Sequence, residues 1–247
     1  MSIQNEMDLI CLKRVGRIVA EAREAMLQAV KLGVSTKELD EIGKDVLTKY
    51  GAHSAPRREY EFPGYTCISV NHVVAHGIPD GYRLKEGDLI NIDVSAELDG
   101  YYADTGASIV VGEGDARKQA LCKCAEQSLY KALASAKAGS KLSQIGRIVQ
   151  NEARRNGFTV VKNLTGHGIG KSLHEEPTHI LNYFDKWDKR LLTDGLVIAV
   201  ETFISTGTEY VKDGKDGWAL ITPDKSLVAQ YEHTVVVTNG QPIILTA

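Results

Sequence analysis

The feature that most constrains this chain is a pair of alternating apolar segments within residues 89–106, LINIDVSAELDGYYADTG, on either side of Asp99-Gly100. An Asp-Gly pair accepts positive φ at both centres of a tight turn, so the pattern predicts a two-residue β-hairpin. Asp93 then lies opposite Gly106. Asp93 and Asp104 become diagonal neighbours on one face of the hairpin, close enough for both to reach one ion.

The environment of these two aspartates predicts a cation between them. Asp93 lies in the apolar run INIDV and should be largely buried. An isolated buried carboxylate is costly and normally takes up a proton, and a second carboxylate on the same face adds repulsion unless a cation is bound. The alternative is that Asp93 and Asp104 are separate polar groups on a solvated face.

The composition is that of an ordinary globular protein. The 247 residues are 43% hydrophobic and 25% charged, with a formal net charge of −3 and a pI near 6.2, which argues against a surface specialised for nucleic acid. No apolar run is long enough to span a membrane, and MSIQNE does not resemble a signal peptide, so we expect no membrane partner and a cytoplasmic protein. The four cysteines lack zinc-type spacing and are expected to be free thiols.

Helical periodicity and turn residues divide the chain into elements. Helices are predicted over about Glu6 to Lys31, Lys37 to Tyr50, Asp115 to Lys137 and Leu142 to Arg155. Strands are predicted at Thr66 to Val70, on both sides of the hairpin turn and at Ser226 to Thr238, whereas Ala52 to Tyr65, with its prolines, is expected to be irregular.

This order of elements repeats along the chain. The corresponding residues in the two halves are Gly33 and Gly139, Gly51 and Gly157, His76 and His167, Gly87 and Gly195, and Asp93 and Glu201. Glu232 in the last strand takes the place that Asp104 has in the first half. Chance similarity of common helix–strand order is the alternative.

A structural repeat predicts an α+β fold. Two pseudo-symmetric halves, about 1–114 and 115–247, would form one domain with antiparallel strands at its centre and helices outside. The four acids would then meet where the halves join.

The segment Gly166-His167-Gly-Ile-Gly170 supplies a further candidate ligand. We expect a flexible turn that leaves the histidine free to act as a ligand or catalytic group, although a packed core histidine is an alternative. A phosphate-binding loop is disfavoured because the P-loop lysine and the dinucleotide glycine spacing are absent.

Four carboxylates and one imidazole are too many ligands for one divalent ion. Their negative charges would be balanced by two ions, held by Asp93, Asp104, His167, Glu201 and Glu232. Oxygen-rich ligation with one histidine suits Mn, Fe(II), Co or Zn. Such ions lower the pKa of a bridging water and polarise a carbonyl oxygen, so hydrolysis of an amide or ester is predicted.

Five motifs together resemble bacterial type I methionine aminopeptidases over essentially the whole chain. They are His76-Gly-Ile-Pro, Asn91-Ile-Asp93 with Tyr102-Ala-Asp104-Thr-Gly, Thr165-Gly-His-Gly-Ile-Gly-Lys-Ser-Leu-His174-Glu-Glu-Pro, Val200-Glu201 and Gln230-Tyr-Glu232-His-Thr. The resemblance implies the pita-bread fold of creatinases and aminopeptidases. It also implies a metalloprotease that removes the initiator methionine during protein maturation when the second residue is small.

The resemblance also assigns roles to single residues. The five candidate ligands match the metal ligands of the family, and Glu201 matches the group that moves the proton from the bridging water to the leaving amine. His76 and His174 match the two non-ligand histidines that contact the scissile amide and the developing oxyanion.

The resemblance further implies a pocket for the methionine side chain. Its lining corresponds to Phe62, Cys67, Phe203 and Trp218, with Leu173 and Gln230 nearby. Aromatic rims and sulfur suit a flexible thioether. An ordinary core position is the alternative for each of these residues.

Two departures from the family pattern stand near the site. Thr202 follows Glu201 where most relatives have proline, which adds a backbone donor beside a ligand. Arg57 to Glu61, before Phe62, also differs from several relatives.

The expected partners are the N-termini of nascent polypeptides and the ribosome surface, contacted through this domain, and we expect a monomer. The alternatives are a prolidase or Xaa-Pro aminopeptidase of the same fold, and a non-catalytic binding protein that keeps the fold.

Overall fold

Five helices form, and side-chain caps set the start of three of them. The computed structural model describes all residues, 1–247, with α1 Glu6–Ala29, α2 Thr36–Lys49, α3 Ala55–Tyr60, α4 Ala116–Ser135 and α5 Ser143–Arg155. Asn5 accepts from the Asp8 amide at the start of α1, and Asp115 accepts from the Lys118 amide at the start of α4. Ser35 and Glu38 form a reciprocal capping box on α2.

One short helix was not expected. The stretch Ala52–Tyr65 was predicted to be irregular, and this is wrong, because it contains a short strand at residues 53–54 and then helix α3. Pro56 stands in the first turn of α3, where its missing amide hydrogen has no helical partner to lose. The proline therefore starts a helix here instead of interrupting one.

Thirteen strands pair in two antiparallel sheets. They are β1 His53–Ser54, β2 Cys67–Val70, β3 Val73–Ala75, β4 Leu89–Leu98, β5 Tyr101–Val110, β6 Thr159–Val160, β7 Thr165–Gly168, β8 Glu175–Leu181, β9 Val197–Ser205, β10 Lys212–Asp213, β11 Leu220–Ile221, β12 Val228–Val236 and β13 Ile243–Ile244. The large sheet has the order β1-β4-β5-β12-β9-β7-β8, with β2 beside β4, β6 beside β9 and β13 beside β12. The small sheet is β10-β11-β3.

The predicted hairpin is confirmed residue by residue. β4 and β5 pair with Asp93 opposite Gly106 and Ser95 opposite Asp104. Asp99 and Gly100 both have positive φ, 53° and 79°, as the two-residue turn requires. The two aspartates therefore share one face of the sheet.

Helices cover the opposite face of the large sheet. α1 packs on β4 and β5, and α4 packs on β9 and β12. Alternate residues of β4, namely Ile90, Ile92, Val94 and Ala96, join the core beneath α1 and α2. Ile198, Val200 and Ile204 of β9 likewise join the core beneath α4 and α5. The period of two then leaves the acids of the intervening positions on the other face of the sheet.

The glycines of the sequence repeat adopt matching backbone conformations. Gly33 and Gly139 have φ of 81° and 82°, and Gly51 and Gly157 have 70° and 75°. Gly87 and Gly195, which precede the strands that carry Asp93 and Glu201, have φ of 75° and 78°.

The acids of the second half are paired differently from those of the first. Glu232 lies directly opposite Glu201 across β9 and β12, and it also pairs with Gly106 of β5. In the first half, the residue opposite Asp93 is Gly106. Glu232 therefore corresponds to Gly106 and not to Asp104. The expected correspondence between Glu232 and Asp104 is off by two residues.

Two smaller expectations can be compared with the structure. All four cysteines are free, as predicted. No helix of the chain has both the length and the apolar character that a membrane crossing needs.

Candidate active site

A cavity of about 450 Å³ opens on the face of the large sheet opposite the four long helices, with the short helix α3 at its edge. Its lining includes every residue that the sequence assigned to metal binding, catalysis or the side-chain pocket: Asp93, Asp104, His167, Glu201, Glu232, His76, His174, Phe62, Cys67, Phe203 and Trp218. The two sequence halves contribute to it together.

The four acids line one part of the cavity and are buried or half-buried there. Asp104 and Glu232 are buried, whereas Asp93 and Glu201 are partly exposed to the cavity. Burial, with the charge of Asp104, raises the pKa of Asp93, Glu201 and Glu232 well above the usual range. Burial also raises the pKa of Asp104, to about 6. A group of carboxylates in this condition needs protons or cations.

His167 approaches these acids from a strand, which corrects one prediction. The sequence predicted a flexible turn, but His167 is buried in β7, next to β9. A Cβ at Gly166 would lie 2.5 Å from the Ala199 carbonyl oxygen, and one at Gly168 would lie 2.2 Å from that of Glu176. The glycines therefore allow close approach of neighbouring backbone around the imidazole, not turn flexibility.

The imidazole of His167 is oriented as a metal ligand would be. Its Nδ1 lies 3.0 Å from the Gly168 carbonyl oxygen. Because a carbonyl oxygen only accepts hydrogen bonds, Nδ1 carries the ring proton. Its Nε2 lies 3.9 Å from Asp104 Oδ2 and 4.0 Å from Glu201 Oε1. Burial lowers the pKa of His167 to about 3, so the ring is neutral and Nε2 carries a lone pair at pH 7.

The donor set fits a bound divalent metal. Asp104, His167 and Glu232 each offer one ligand atom, and these atoms lie within 4.8 Å of one another. Asp104 Oδ1 and Glu232 Oε1 are buried without a hydrogen-bond partner. Unpartnered buried carboxylate oxygens are rare, and a cation would satisfy both.

The Glu232 carboxylate is held in place by hydrogen bonds from a chain of two side-chain amides. The Gln230 amide nitrogen donates to Glu232 Oε2 at 3.0 Å, and Asn91 Nδ2 donates to Gln230 Oε1 at 2.8 Å. Gly106 leaves room for this amide, because a Cβ there would lie 2.2 to 2.8 Å from the Gln230 side-chain atoms. Gln230 thus lies under the acids instead of lining the cavity.

His76 and His174 are exposed and line the same cavity as the acids. Partial desolvation lowers the pKa of both imidazoles, so both are neutral at pH 7. The His174 ring lies 4.3 Å from that of His167, centroid to centroid. His76 has a positive φ of 54°, an uncommon conformation for a non-glycine residue and one that occurs at functional sites.

The apolar part of the cavity has an aromatic corner. The rings of Phe62 and Trp218 meet edge to face with centroids 5.2 Å apart. Phe203 and Cys67 are buried beside them, and Leu173 also lines the cavity. The backbone of Cys67 pairs with that of Asp93, which joins the apolar corner to the acids.

Thr202 leaves the strand geometry intact. It pairs with Tyr231 in the unbroken register of β9 and β12. Its hydroxyl points away from the acids and donates to the Ala125 carbonyl of α4 at 3.1 Å. The departure from proline therefore affects the helix side of the sheet.

The structure adds residues that the sequence reasoning did not find. Tyr60 lines the cavity and its hydroxyl lies 2.7 Å from His174 Nδ1. Thr165 Oγ1 and His179 Nδ1 lie 3.2 Å apart at the cavity edge. Pro56 could have indicated the start of a helix that ends near Tyr60. No short-range sequence pattern, however, indicates that Tyr60 contacts His174.

The comparisons with known proteins agree on one family. Residues 10–239 match metallopeptidase family M24. The chain is 58% identical to methionine aminopeptidase 2 of Bacillus subtilis over 247 residues, which is 100% of this chain and 99% of the relative.

Solved structures give the same result for the fold. The crystal structure of methionine aminopeptidase from Thermotoga maritima superimposes with a TM-score of 0.96 and 31% identity, covering 100% of this chain and 99% of that one. A prolidase from Pyrococcus horikoshii has a TM-score of 0.78 and 22% identity, and the match covers 63% of that chain. The pita-bread fold that the family resemblance implied is confirmed.

Proposed function

Because the chain belongs to metallopeptidase family M24, we propose that it is a methionine aminopeptidase that removes the initiator methionine from nascent proteins with a small second residue. Full-length similarity to proteins of that name supports this. The observation that carries the proposal is one cavity that joins the buried acids and His167 to an aromatic, sulfur-containing corner.

We assign the metal ligands to Asp93, Asp104, His167, Glu201 and Glu232. Two divalent ions, Co, Mn, Fe(II) or Zn, would balance the four carboxylates and satisfy the unpartnered oxygens. When bound, the ions would lower the pKa of a water and polarise the scissile carbonyl.

Three side chains would handle protons and charge in this reaction. The Glu201 carboxylate, partly exposed to the cavity, accepts a proton from the attacking water and returns it to the leaving amine. The neutral His174 donates a hydrogen bond to the carbonyl oxygen as its negative charge develops. The neutral His76, which also lines the cavity, contacts the scissile amide.

The apolar corner would select the first residue. An unbranched thioether fits between Phe62, Trp218 and Phe203, with Cys67 at its side. The next residue then lies against the acids, where a large side chain would clash. Second residues Gly, Ala, Ser, Thr, Pro, Val and Cys should therefore be accepted, and Leu, Lys, Arg and Phe should be poor.

Several wider assignments belong to the same proposal. The whole chain, 1–247, forms one catalytic domain with halves of about 1–114 and 115–247. It acts as a monomer in the cytoplasm, on nascent chains at the ribosome surface. A prolidase or Xaa-Pro aminopeptidase is less well supported, since the prolidase likeness, at 22% identity, speaks for the fold alone. A non-catalytic binding protein is also disfavoured, because all five ligand positions and both histidines are retained.

One experiment tests the proposal. Release of the first residue is measured from Met-Ala-Ser, Met-Leu-Ser, Leu-Ala-Ser and an Xaa-Pro peptide at equal concentration, with bound metal quantified by mass spectrometry. Only Met-Ala-Ser should be cut efficiently, and a strong chelator should abolish cleavage until Mn, Co, Fe(II) or Zn is restored. Comparable kcat/KM on the first three peptides would remove the methionine and small-residue rules, and full activity without metal would overturn the mechanism.

A further inference from the structure

The last residue of helix α3 contacts His174, one of the histidines that line the cavity. Tyr60 Oη lies 2.7 Å from His174 Nδ1, and the two rings are tilted with centroids 5.7 Å apart. Within the protein, Nδ1 of His174 has this one hydrogen-bond partner and Nε2 has none. Nδ1 is therefore engaged at the rim, while Nε2 is left for a molecule in the cavity.

Helix α3 is anchored to the hairpin that carries two of the acids. Arg58 pairs with Glu97 of β4 at 2.5 Å, and the Tyr102 hydroxyl of β5 donates to Glu59 at 2.5 Å. Burial raises the pKa of Tyr102 to about 12, so this hydroxyl keeps its proton. The two residues that precede Tyr60 thus tie it to the same strands as Asp93 and Asp104.

The chemistry of the contact selects one form of the imidazole. A neutral histidine has one protonated nitrogen and one that accepts. Partial burial raises the pKa of Tyr60, so its hydroxyl keeps a proton that it can donate to Nδ1 at 2.7 Å. If the tyrosine hydroxyl donates to Nδ1, the ring proton must be on Nε2, and Nε2 can then donate into the cavity.

We propose that Tyr60 is a positioning residue that holds His174 in the Nε2–H tautomer, with this donor directed at the substrate. The role in the reaction rests on the proposed function, in which His174 stabilises the developing charge on the scissile carbonyl. The tautomer itself depends on the hydrogen bond alone. Without Tyr60 the ring can place its proton on Nδ1, and Nε2 then presents a lone pair to a negatively charged oxygen.

The test is Tyr60→Phe, which removes the hydroxyl and keeps the ring. The matched control is Tyr130→Phe, because the Tyr130 hydroxyl lies 3.1 Å from Nε2 of another histidine, His233, on the helix side of the sheet. The two tyrosines are similarly exposed, at 47% and 45%. Loss of one hydrogen bond to a neutral ring should lower kcat of Tyr60→Phe on Met-Ala-Ser by about three- to tenfold. KM and metal content should not change, and Tyr130→Phe should keep the wild-type kcat.

Two further measurements distinguish positioning from a general structural role. In a His174→Ala background, Tyr60→Phe should cause no additional loss of kcat, because its target is gone. In the zinc-loaded protein, ¹⁵N spectra of labelled histidines, assigned with His174→Ala, should show His174 with an unprotonated Nδ1 and a protonated Nε2. Tyr60→Phe should shift that ring toward a mixture of tautomers.

Three results would overturn the proposal. They are an unchanged kcat in Tyr60→Phe, an equal loss in the His174→Ala background, and a wild-type His174 protonated at Nδ1. A wild-type protein that releases no methionine would refute the proposed function instead, and the nitrogen spectra would still decide whether Tyr60 sets the tautomer.

Discussion

Gly106→Ala should destabilise the protein although it adds only a methyl group. Gly106 lies in the extended strand β5, so its backbone conformation does not exclude alanine. The obstacle is the Gln230 side chain, whose Oε1, Nε2 and Cδ would lie 2.2, 2.6 and 2.8 Å from the new Cβ. Real Cβ atoms do not make such contacts, so the amide has to move.

The magnitude follows from what the Gln230 amide holds in place. Its displacement breaks the bonds with Asn91 and Glu232, both of which are buried. A buried polar group that loses its partner costs about 1–3 kcal/mol. Asn91 Nδ2 keeps a second partner, Ser108 Oγ, at 3.2 Å, so we take about 1–2 kcal/mol for each of the two lost hydrogen bonds. Together the two losses destabilise the protein by about 3 kcal/mol. In a chain of this size that corresponds to a fall in Tm of roughly 6–12 °C.

The assay is thermal unfolding followed by circular dichroism, with chelator and after metal is restored. The control is Gly81→Ala, since a Cβ at Gly81 meets no heavy atom within 4 Å and the residue has no positive φ. That variant should stay within about 0.5 kcal/mol of the wild type. The role assigned to Gln230 would be refuted if Gly106→Ala had the same Tm as Gly81→Ala and bound metal as tightly as the wild type. The Gln230 amide would then not be what holds Glu232 in place.

Two other predictions address the site itself. His174→Ala should lower kcat by roughly a hundred- to a thousandfold, as expected for one oxyanion donor, with unchanged metal content; loss of metal would instead make His174 a ligand. The metal-free protein should lose stability as pH rises, because burial raises the pKa of Asp104 from 3.8 to about 6 in the folded state. The folded form then binds the proton more tightly, so this stabilisation is complete below about pH 4, is lost as pH rises through about 6, and amounts to about 3 kcal/mol. Calorimetry of the metal-free protein between pH 4 and 7.5 should show Tm falling over this window. Asp104→Asn should make the slope smaller but not abolish it, because the pKa of each of the other three acids is raised as well. An unchanged slope in that variant would assign the effect to other groups.

Local interactions explain why much of the fold could be predicted from the sequence. The hairpin register depends on one turn dipeptide and on a period of two, both of which act between near neighbours. For the same reason the capped start of a helix at Asp115 could be predicted. The family motifs then gave separate roles to the site residues, which a general chemical argument could not distinguish.

Sequence patterns that fit two structures were decided by distant contacts. The glycines beside His167 are compatible with a flexible turn or with a tightly packed strand. The strand forms because the backbone carbonyls of Ala199 and Glu176 pack so closely against these positions that only glycine fits. The register of Glu232 against Glu201 depends on how β12 docks between β5 and β9, which no short-range pattern encodes.

The sequence by itself determined the hairpin, the ligand types and the helical periodicity, because these depend on the chemistry of neighbouring residues. Only the tertiary structure decided that Tyr60 reaches His174, across 114 positions of the chain. It also decided that Gly106 makes room for Gln230 and that Thr202 faces α4. The first two contacts join residues of different halves and the third joins a strand to a helix, so all three form only when distant segments of the chain pack together.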